Sequence, residues 1–157
     1  MVALPDLYPM AHYDGTPNEH KSFADLERLL AERFAREARR HRVTAQAQGH
    51  FRVHCLKHDL EVLLLASPDQ LRQRLGTDHA LGQWRLPVEN QNDQQPPKRV
   101  VEALFKKYRP KPGYVETVDA PWILERASLE AVVASCPQNI APFVAELQRI
   151  IAAGGAG

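Results

Sequence analysis

The sequence predicts an α/β fold in which a small parallel sheet, a partial Rossmann-like core, is followed by a helical C-terminal half. Two short stretches are typical of strands: residues 2–4, which Pro5 ends, and residues 51–56, where side chains alternate between two faces. An amphipathic helical pattern lies between them. A strand, a helix and a second strand in this order form a right-handed crossover with parallel strands.

The helix of this crossover has a clear beginning and end in the sequence. Ser22 is a candidate N-cap, with Asp25 three residues later. Apolar residues then recur every three or four positions, at Phe23, Leu26, Leu30 and Phe34. Basic residues at 39–42 suit the negative end of a helix dipole. The following residues, 44–49, are predicted to form a loop.

The C-terminal half carries several helix signals. Ser67 and Pro68 form a typical helix start, and Gly76 forms a typical stop. Residues 82–95 have no periodic pattern and are predicted to be irregular. Further helices are predicted at residues 98–108, 121–124, 128–135 and 139–153.

Length and composition are those of one globular domain. The 157 residues are 44% hydrophobic and 25% charged, which suffices for one sizeable core. We predict a single domain, 1–157, with an α/β core at 1–66, a helical extension at 67–153 and a frayed tail at 154–157. The first predicted strand is very short and begins almost at the start of the chain, which suggests either an edge strand or a chain that begins inside a larger fold.

Charge, hydropathy and cysteines exclude several classes of protein. The net charge is +1, so nucleic acid would have to be bound by a local basic patch. No apolar run is long enough for a membrane span, and the start does not resemble a secretion signal, so a cytoplasmic protein without a membrane partner is predicted. Cys55 and Cys136 lie among apolar residues and are predicted to be buried free thiols.

The candidate site is the charged segment 57–61, which lies between the second strand and an apolar run at 62–66 that predicts a buried helix. Parallel strands end at the same edge of a sheet, where α/β proteins bind ligands. Asp6 follows the first strand, so it is expected to meet Asp59 and Glu61 there. These three carboxylates are candidate ligands for Mg²⁺ or Mn²⁺. The alternative makes Asp6 a turn residue and Asp59 a helix N-cap.

Basic residues are candidates for phosphate contacts. Lys57 and Lys98 each offer a point charge on a flexible stem, and Arg99 lies next to Lys98. Arg39 and Arg40 would track a nucleic-acid backbone. The alternatives are a solvated surface lysine at position 98 and ordinary helix-end cations at positions 39 and 40.

A zinc site is the metal alternative. It would use His54, His58 and Asp6, because His54 and Cys55 point to opposite faces of a strand and cannot share one ion. The sequence has no nucleophile elbow, P-loop or dinucleotide fingerprint.

Several motifs, spread over most of the chain, resemble a bacterial family of Toprim-like proteins of unknown function (domain of unknown function 4276), often encoded beside an ATPase. The matching stretches are LPDLYP at 4–9, KHDLE at 57–61, PVENQN at 87–92, PPKR at 96–99, TVDA at 117–120 and CPQ at 136–138.

The resemblance implies a metal site. Toprim domains, including those of overcoming-lysogenization-defect (OLD) nucleases, bind divalent metal through a glutamate and an Asp-x-Asp pair. Asp6 matches the first aspartate of the pair, whereas Tyr8 stands in place of the second. The family's opening segment with its glutamate is absent. Asp59 and Glu61 are similar to a deeper acidic motif of the related nucleases.

We therefore predict a metal-dependent Toprim-like nuclease that acts in an anti-phage or DNA-processing system with an ATPase partner. Asp6, Asp59, Glu61 and Lys57 are its candidate catalytic residues, and Mg²⁺ or Mn²⁺ binding is expected to be weak because the carboxylate set is incomplete. A homodimer is also considered. The alternative function is a Toprim-derived module that binds a protein partner and does no chemistry.

Overall fold

The computed structural model describes residues 2–3, 14–17, 19–55, 60–91 and 94–154. The chain divides into two compact units, residues 1–57 and residues 58–157. Whether both units form one domain, with an internal boundary after residue 66, stays a prediction.

The first unit contains two very short strands and two helices. They are β1 (Val2–Ala3), α1 (Phe23–Arg40), α2 (Ala45–Gln48) and β2 (Arg52–Val53). The strands pair in parallel, with Val2 opposite Arg52 and Ala3 opposite Val53.

Helix α1 begins where the sequence predicts, directly after its N-cap residue Ser22. The Ser22 hydroxyl accepts a hydrogen bond from the Asp25 amide (3.1 Å) and donates one to the Asp25 carboxylate (2.8 Å). One face of the helix packs on β2's end, where Leu26 and Cys55 are buried and Phe23 and Leu30 lie around them. This small cluster is one place where the described residues of the first unit pack buried apolar side chains together.

The predicted α/β fold class is wrong. A small parallel sheet needs strands of several residues, and the alternating stretch 51–56 predicts one of them. In the described part of the chain, strand pairing extends over only two residues of each strand, and helices account for most of the structure. The loop prediction at 44–49 is also wrong, because the Thr44 hydroxyl accepts a hydrogen bond from the Ala47 amide (3.2 Å) and caps α2.

The second unit is helical throughout its described residues. Its elements are α3 (Glu61–Leu65), α4 (Pro68–Leu75), a 3-10 helix (Val88–Asn90), α5 (Pro97–Tyr108), α6 (Glu116–Leu124), α7 (Leu129–Ser135) and α8 (Ile140–Gly154). Gly76 ends α4 in the left-handed conformation (φ 66°), which a glycine adopts without a steric penalty. Ser67 does not cap α4, since its hydroxyl donates to the Leu63 carbonyl instead (3.0 Å).

Helix α3 is the centre of this unit, because it contacts α4, α5 and α6 as well as the 3-10 helix. Its apolar run is buried on more than one side: Val62, Leu64 and Leu65 are at most 1% exposed, and Leu63 alone is half-buried. Phe105 of α5 lies fully buried in the same unit. Because α3 is enclosed in this way, its first residue, Glu61, is buried as well.

Both cysteines are buried and free, as predicted. None of the helices in the described ranges is long and apolar enough to span a membrane.

Candidate functional site

Among the described residues of the second unit, three carboxylates are buried. Glu61 is 0% exposed, and Glu89 and Asp119 are each 1% exposed. A buried carboxylate is costly unless hydrogen bonds and opposite charges replace the water it has lost. The partners of each carboxylate therefore indicate whether its role is structural.

Asp119 is fully satisfied by neighbouring groups. Its Oδ1 atom accepts hydrogen bonds from Arg74 Nε (2.7 Å) and Arg109 Nη1 (3.0 Å). Its Oδ2 atom accepts one from the Val115 amide (2.7 Å) at the start of α6. Through these hydrogen bonds, Asp119 connects α4 and the end of α5 to α6. Asp119 is therefore a structural residue.

Glu89 is also satisfied, by the backbone at the beginning of α8. Its Oε2 atom accepts from the Gln138 amide (2.7 Å), and its Oε1 atom accepts from the amides of Asn139 (2.7 Å) and Ile140 (3.2 Å). Amides at a helix start have no partner within the helix, and a carboxylate there also favours the helix dipole. Glu89 therefore fixes α8.

The Cys136 thiol lies close to this cap. Burial, together with the charge of Glu89, raises the pKa of Cys136 to about 12. The side chain stays a neutral thiol at physiological pH, so it is a poor nucleophile.

Glu61 differs from the other two. Its Oε1 atom accepts a hydrogen bond from the Tyr114 hydroxyl (3.0 Å), and Lys98 Nζ lies 3.9 Å from the same oxygen. Its Oε2 atom is inaccessible to solvent and accepts no hydrogen bond from any residue that the structure describes. Oε1 of Glu61 is therefore held in place by a hydrogen bond, whereas Oε2 is left for a ligand.

Burial dominates the electrostatics of this carboxyl group. Loss of hydration raises the pKa of Glu61 above its ordinary value, while its own backbone amide, the Tyr114 hydrogen bond and the Lys98 charge act in the opposite direction. The pKa of Tyr114 is raised as well, by burial and then by the neighbouring charge of Glu61. Both effects favour the neutral phenol of Tyr114, which donates the hydrogen bond to Glu61.

Lys98 lies beside two carboxylates. Its ammonium is 2.9 Å from Glu116 Oε2 and 3.9 Å from Glu61 Oε1. The side chain is 41% exposed, so the ammonium contacts the buried carboxylate from the solvent side. Lys98 is thus a partly exposed lysine that pairs with two carboxylates, and its role as a phosphate contact stays a prediction.

Three predicted site residues lie outside the described part of the chain. They are Asp6, Lys57 and Asp59, and the zinc alternative depends on Asp6 and His58, which lie outside it too. The expected meeting of Asp6, Asp59 and Glu61 thus stays a prediction.

The predicted nucleic-acid contacts are on exposed helix positions. Arg99 is exposed on α5, directly after Lys98. Arg39 and Arg40 are exposed in the last turn of α1, in the first unit, and Arg40 Nη1 lies 3.7 Å from the carboxylate of Glu37. An exposed pair of this kind contributes little to stability and leaves the arginine available to a phosphate.

Sequence reasoning missed Tyr114 and Glu116. Tyr114 follows Pro112 and Gly113 in a segment with no periodic signal, and its partner Glu61 is 53 positions away. The family-like motifs did contain Glu89 and Asp119, but a motif alone does not distinguish a structural carboxylate from a ligand.

The residues present meet the needs of a divalent ion only in part. Among the described residues, no group of three histidine, cysteine or acidic side chains is placed to hold a metal. Glu61 offers one buried oxygen of the kind that Mg²⁺ and Mn²⁺ bind.

Comparison with known proteins gives one match. The model of a family described as a domain of unknown function, DUF4276, matches residues 1–148. The matched range includes all three buried carboxylates. No curated protein and no solved structure matches the chain.

Proposed function

The chain belongs to the DUF4276 family, and from this premise we propose that it is the metal-binding part of a Toprim-like nuclease, related to OLD nucleases, that hydrolyses phosphodiester bonds in nucleic acid. The observation that carries the proposal is the buried Oε2 atom of Glu61, which no described residue satisfies. The Toprim relationship itself rests on the motif resemblance.

An unsatisfied buried oxygen is expensive. Leaving such a group without a partner costs about 1–3 kcal/mol, and more when it is charged. Glu89 and Asp119 demonstrate that this fold supplies three donors to a buried carboxylate whose role is structural. The exception at Glu61 is accounted for if a bound ion replaces the missing donor.

A hard divalent ion suits this oxygen. Mg²⁺ binds through one or two carboxylates together with water and substrate phosphate, and Mn²⁺ tolerates less regular geometry. Glu61, Asp6 and Asp59 would hold the ion, and Lys57 would contact the substrate phosphate. Such an ion would polarise a phosphoryl oxygen and lower the pKa of bound water. Weak binding is expected because the carboxylate set is small.

The described residues would prepare the site for this ion. Tyr114 fixes Oε1 of Glu61 and thereby sets the direction of Oε2. Lys98 supplies positive charge next to the carboxylate, and its exposed side reaches solvent, where a substrate phosphate would approach. Arg99, Arg39 and Arg40 would contact the nucleic-acid backbone.

The same proposal includes the partner, the biological system and the cellular location of the enzyme. An ATPase encoded nearby would be its partner in an anti-phage or DNA-processing system, in the cytoplasm, and a homodimer is compatible with it. These elements rest on the family resemblance.

The experiment is a pair of measurements on the full chain. Calorimetry with Mn²⁺ is expected to give weak binding that Glu61→Gln weakens at least tenfold, and labelled DNA and RNA are expected to be cleaved only with Mg²⁺ or Mn²⁺. Glu102→Gln is the matched control, since Glu102 is exposed on α5. Equal metal uptake by wild type and Glu61→Gln would overturn the metal site.

Absence of cleavage in every metal and substrate combination would overturn the enzymatic part. The interaction-module function would then replace it, and the Glu61 cluster would be interpreted as a buried polar contact that helps define the helical unit.

A further inference from the structure

A polar pocket lies in the irregular segment that precedes α5. It is lined by Gln83, Trp84, Arg85, Gln91 and Gln95. The described lining combines one aromatic ring, three amides and one cation. None of these lining residues carries a negative charge.

The ring of Trp84 is available to a ligand. The other tryptophan, Trp122, has the guanidinium groups of Arg126 (4.3 Å) and Arg74 (5.2 Å) over its ring. Trp84 is half-buried, and no cationic or aromatic side chain of the described residues stacks on it. A partly exposed indole without a stacking partner suits a flat aromatic ligand.

The amides around the ring are suited to a ligand with both donors and acceptors. Gln91 is only 8% exposed, and its Oε1 atom accepts a hydrogen bond from the Arg85 amide (2.9 Å), which holds that side chain in position. Glutamine amides present a donor and an acceptor side by side, as base edges do.

Among the described lining residues, the charged side chain is the cation Arg85, which favours an anion. Arg85 is exposed, and its guanidinium pairs with no carboxylate among the described residues. A guanidinium at the rim of an aromatic pocket suits a phosphate next to a stacked base. A neutral peptide segment would use the ring but not the cation.

We propose that the Trp84 pocket binds one unpaired base of a nucleic-acid strand, with the adjacent phosphate on Arg85. The proposal rests on the proposed function in taking nucleic acid as the ligand, but it requires neither metal nor Glu61. It adds single-stranded nucleic acid as the substrate class.

The test measures binding without cleavage. Fluorescence anisotropy of a labelled twelve-nucleotide oligothymidylate is followed in EDTA and low salt, with the full chain. Trp84→Ala is expected to weaken binding roughly 5- to 150-fold, the range for loss of one stacked base. Trp84→Phe is expected to retain most of the affinity, because phenylalanine also stacks.

Arg85→Gln provides a second variant that does not depend on the ring. It is expected to weaken binding and to lower the salt dependence by about one phosphate contact. Lys111→Gln is the matched control, since Lys111 is an exposed cation outside the pocket. Circular dichroism of each variant checks that the fold is retained.

The outcomes separate this inference from the proposed function. Wild-type affinity in folded Trp84→Ala and Arg85→Gln overturns the pocket, even if cleavage depends on Glu61. Binding that depends on Trp84 without any cleavage supports the pocket and overturns the nuclease. Equal affinity for a duplex of the same length, or Trp84-dependent binding of a proline-rich peptide in place of the oligonucleotide, also overturns it.

Discussion

The Tyr114 hydroxyl donates a hydrogen bond of 3.0 Å to Oε1 of Glu61, at the first residue of α3. The tyrosine ring is itself anchored, since its centroid lies 5.1 Å from that of the buried Phe105 in α5. Packing therefore holds the ring, and the ring holds the carboxylate. Because packing holds the ring, the hydroxyl is the part of Tyr114 that positions the Glu61 carboxylate.

Tyr114→Phe removes that hydroxyl and leaves the ring in place. Oε1 of Glu61 then loses its donor inside the protein, so the free energy of unfolding is expected to fall by about 1–3 kcal/mol. Urea denaturation monitored by circular dichroism measures the change.

Tyr108→Phe is the control for this variant. Tyr108 is half-buried at the end of α5, with the ammonium of Lys107 over its ring at 4.7 Å. No hydrogen bond from its hydroxyl to a described residue is present, so the unfolding midpoint is expected to stay close to that of the wild type. Equal destabilisation by both variants would show that the Tyr114 hydroxyl has no special role.

The raised pKa of Glu61 makes stability depend on pH. The folded state holds this proton more tightly than the unfolded chain, whose glutamate has the ordinary value of 4.5. The stabilising contribution is therefore complete below pH 4.5 and is lost as the pH rises through the folded-state pKa. Glu61→Gln resembles the protonated form at every pH.

Thermal unfolding across pH 5 to 8, in the absence of metal, tests this sign. The difference in melting temperature, Glu61→Gln minus wild type, is expected to grow as the pH increases. Glu102→Gln, which removes an exposed carboxylate, is expected to give a difference that changes little. A pH-independent difference for Glu61→Gln would mean that burial does not shift this group.

Local signals predicted the helices better than the strands. Ser22 and Asp25 form the N-terminal hydrogen bonds expected of them, and Gly76 ends α4, because caps depend on neighbouring residues alone. A strand requires a partner elsewhere in the chain. The alternation at 51–56 did not reveal that only Arg52–Val53 would be paired among the described residues.

The sequence predicted only the part of the candidate site where ionisable residues are close together along the chain. Glu61 was found through its charged neighbours, but its burial follows from the enclosure of α3 by three other helices. The partner hydroxyl of Tyr114 and the ammonium of Lys98 come from distant segments. Contacts of this range depend on tertiary packing, which no local pattern encodes.

Helix α3 provides a matched pair of core substitutions. Leu64 is 0% exposed, whereas its neighbour Leu63 is half-buried. Leu64→Ala is expected to lower the free energy of unfolding by about 2–5 kcal/mol, through lost burial and a residual cavity. Leu63→Ala is expected to cost clearly less, because part of that side chain already contacts water. Chemical denaturation of both variants measures the order, and the reverse order would contradict the described position of α3.

Asp119→Asn tests the buried charge cluster of Asp119, Arg74 and Arg109. The substitution keeps the shape of the side chain but removes the negative charge that Arg74 (17% exposed) and Arg109 (30% exposed) face. Two partly buried guanidinium groups would then lack their counter-ion, and removing one partner of a buried pair costs about 3–5 kcal/mol. Asp69→Asn is the control, since Asp69 pairs with Arg72 on the exposed side of α4. That pair is expected to contribute less than about 1 kcal/mol.

Denaturation in low salt and in about 1 M salt, where the Debye length is short, separates the two variants. The loss of stability in Asp119→Asn should persist at high salt. Equal, small losses would mean that the arginines find other partners and that Asp119 does not fix α6.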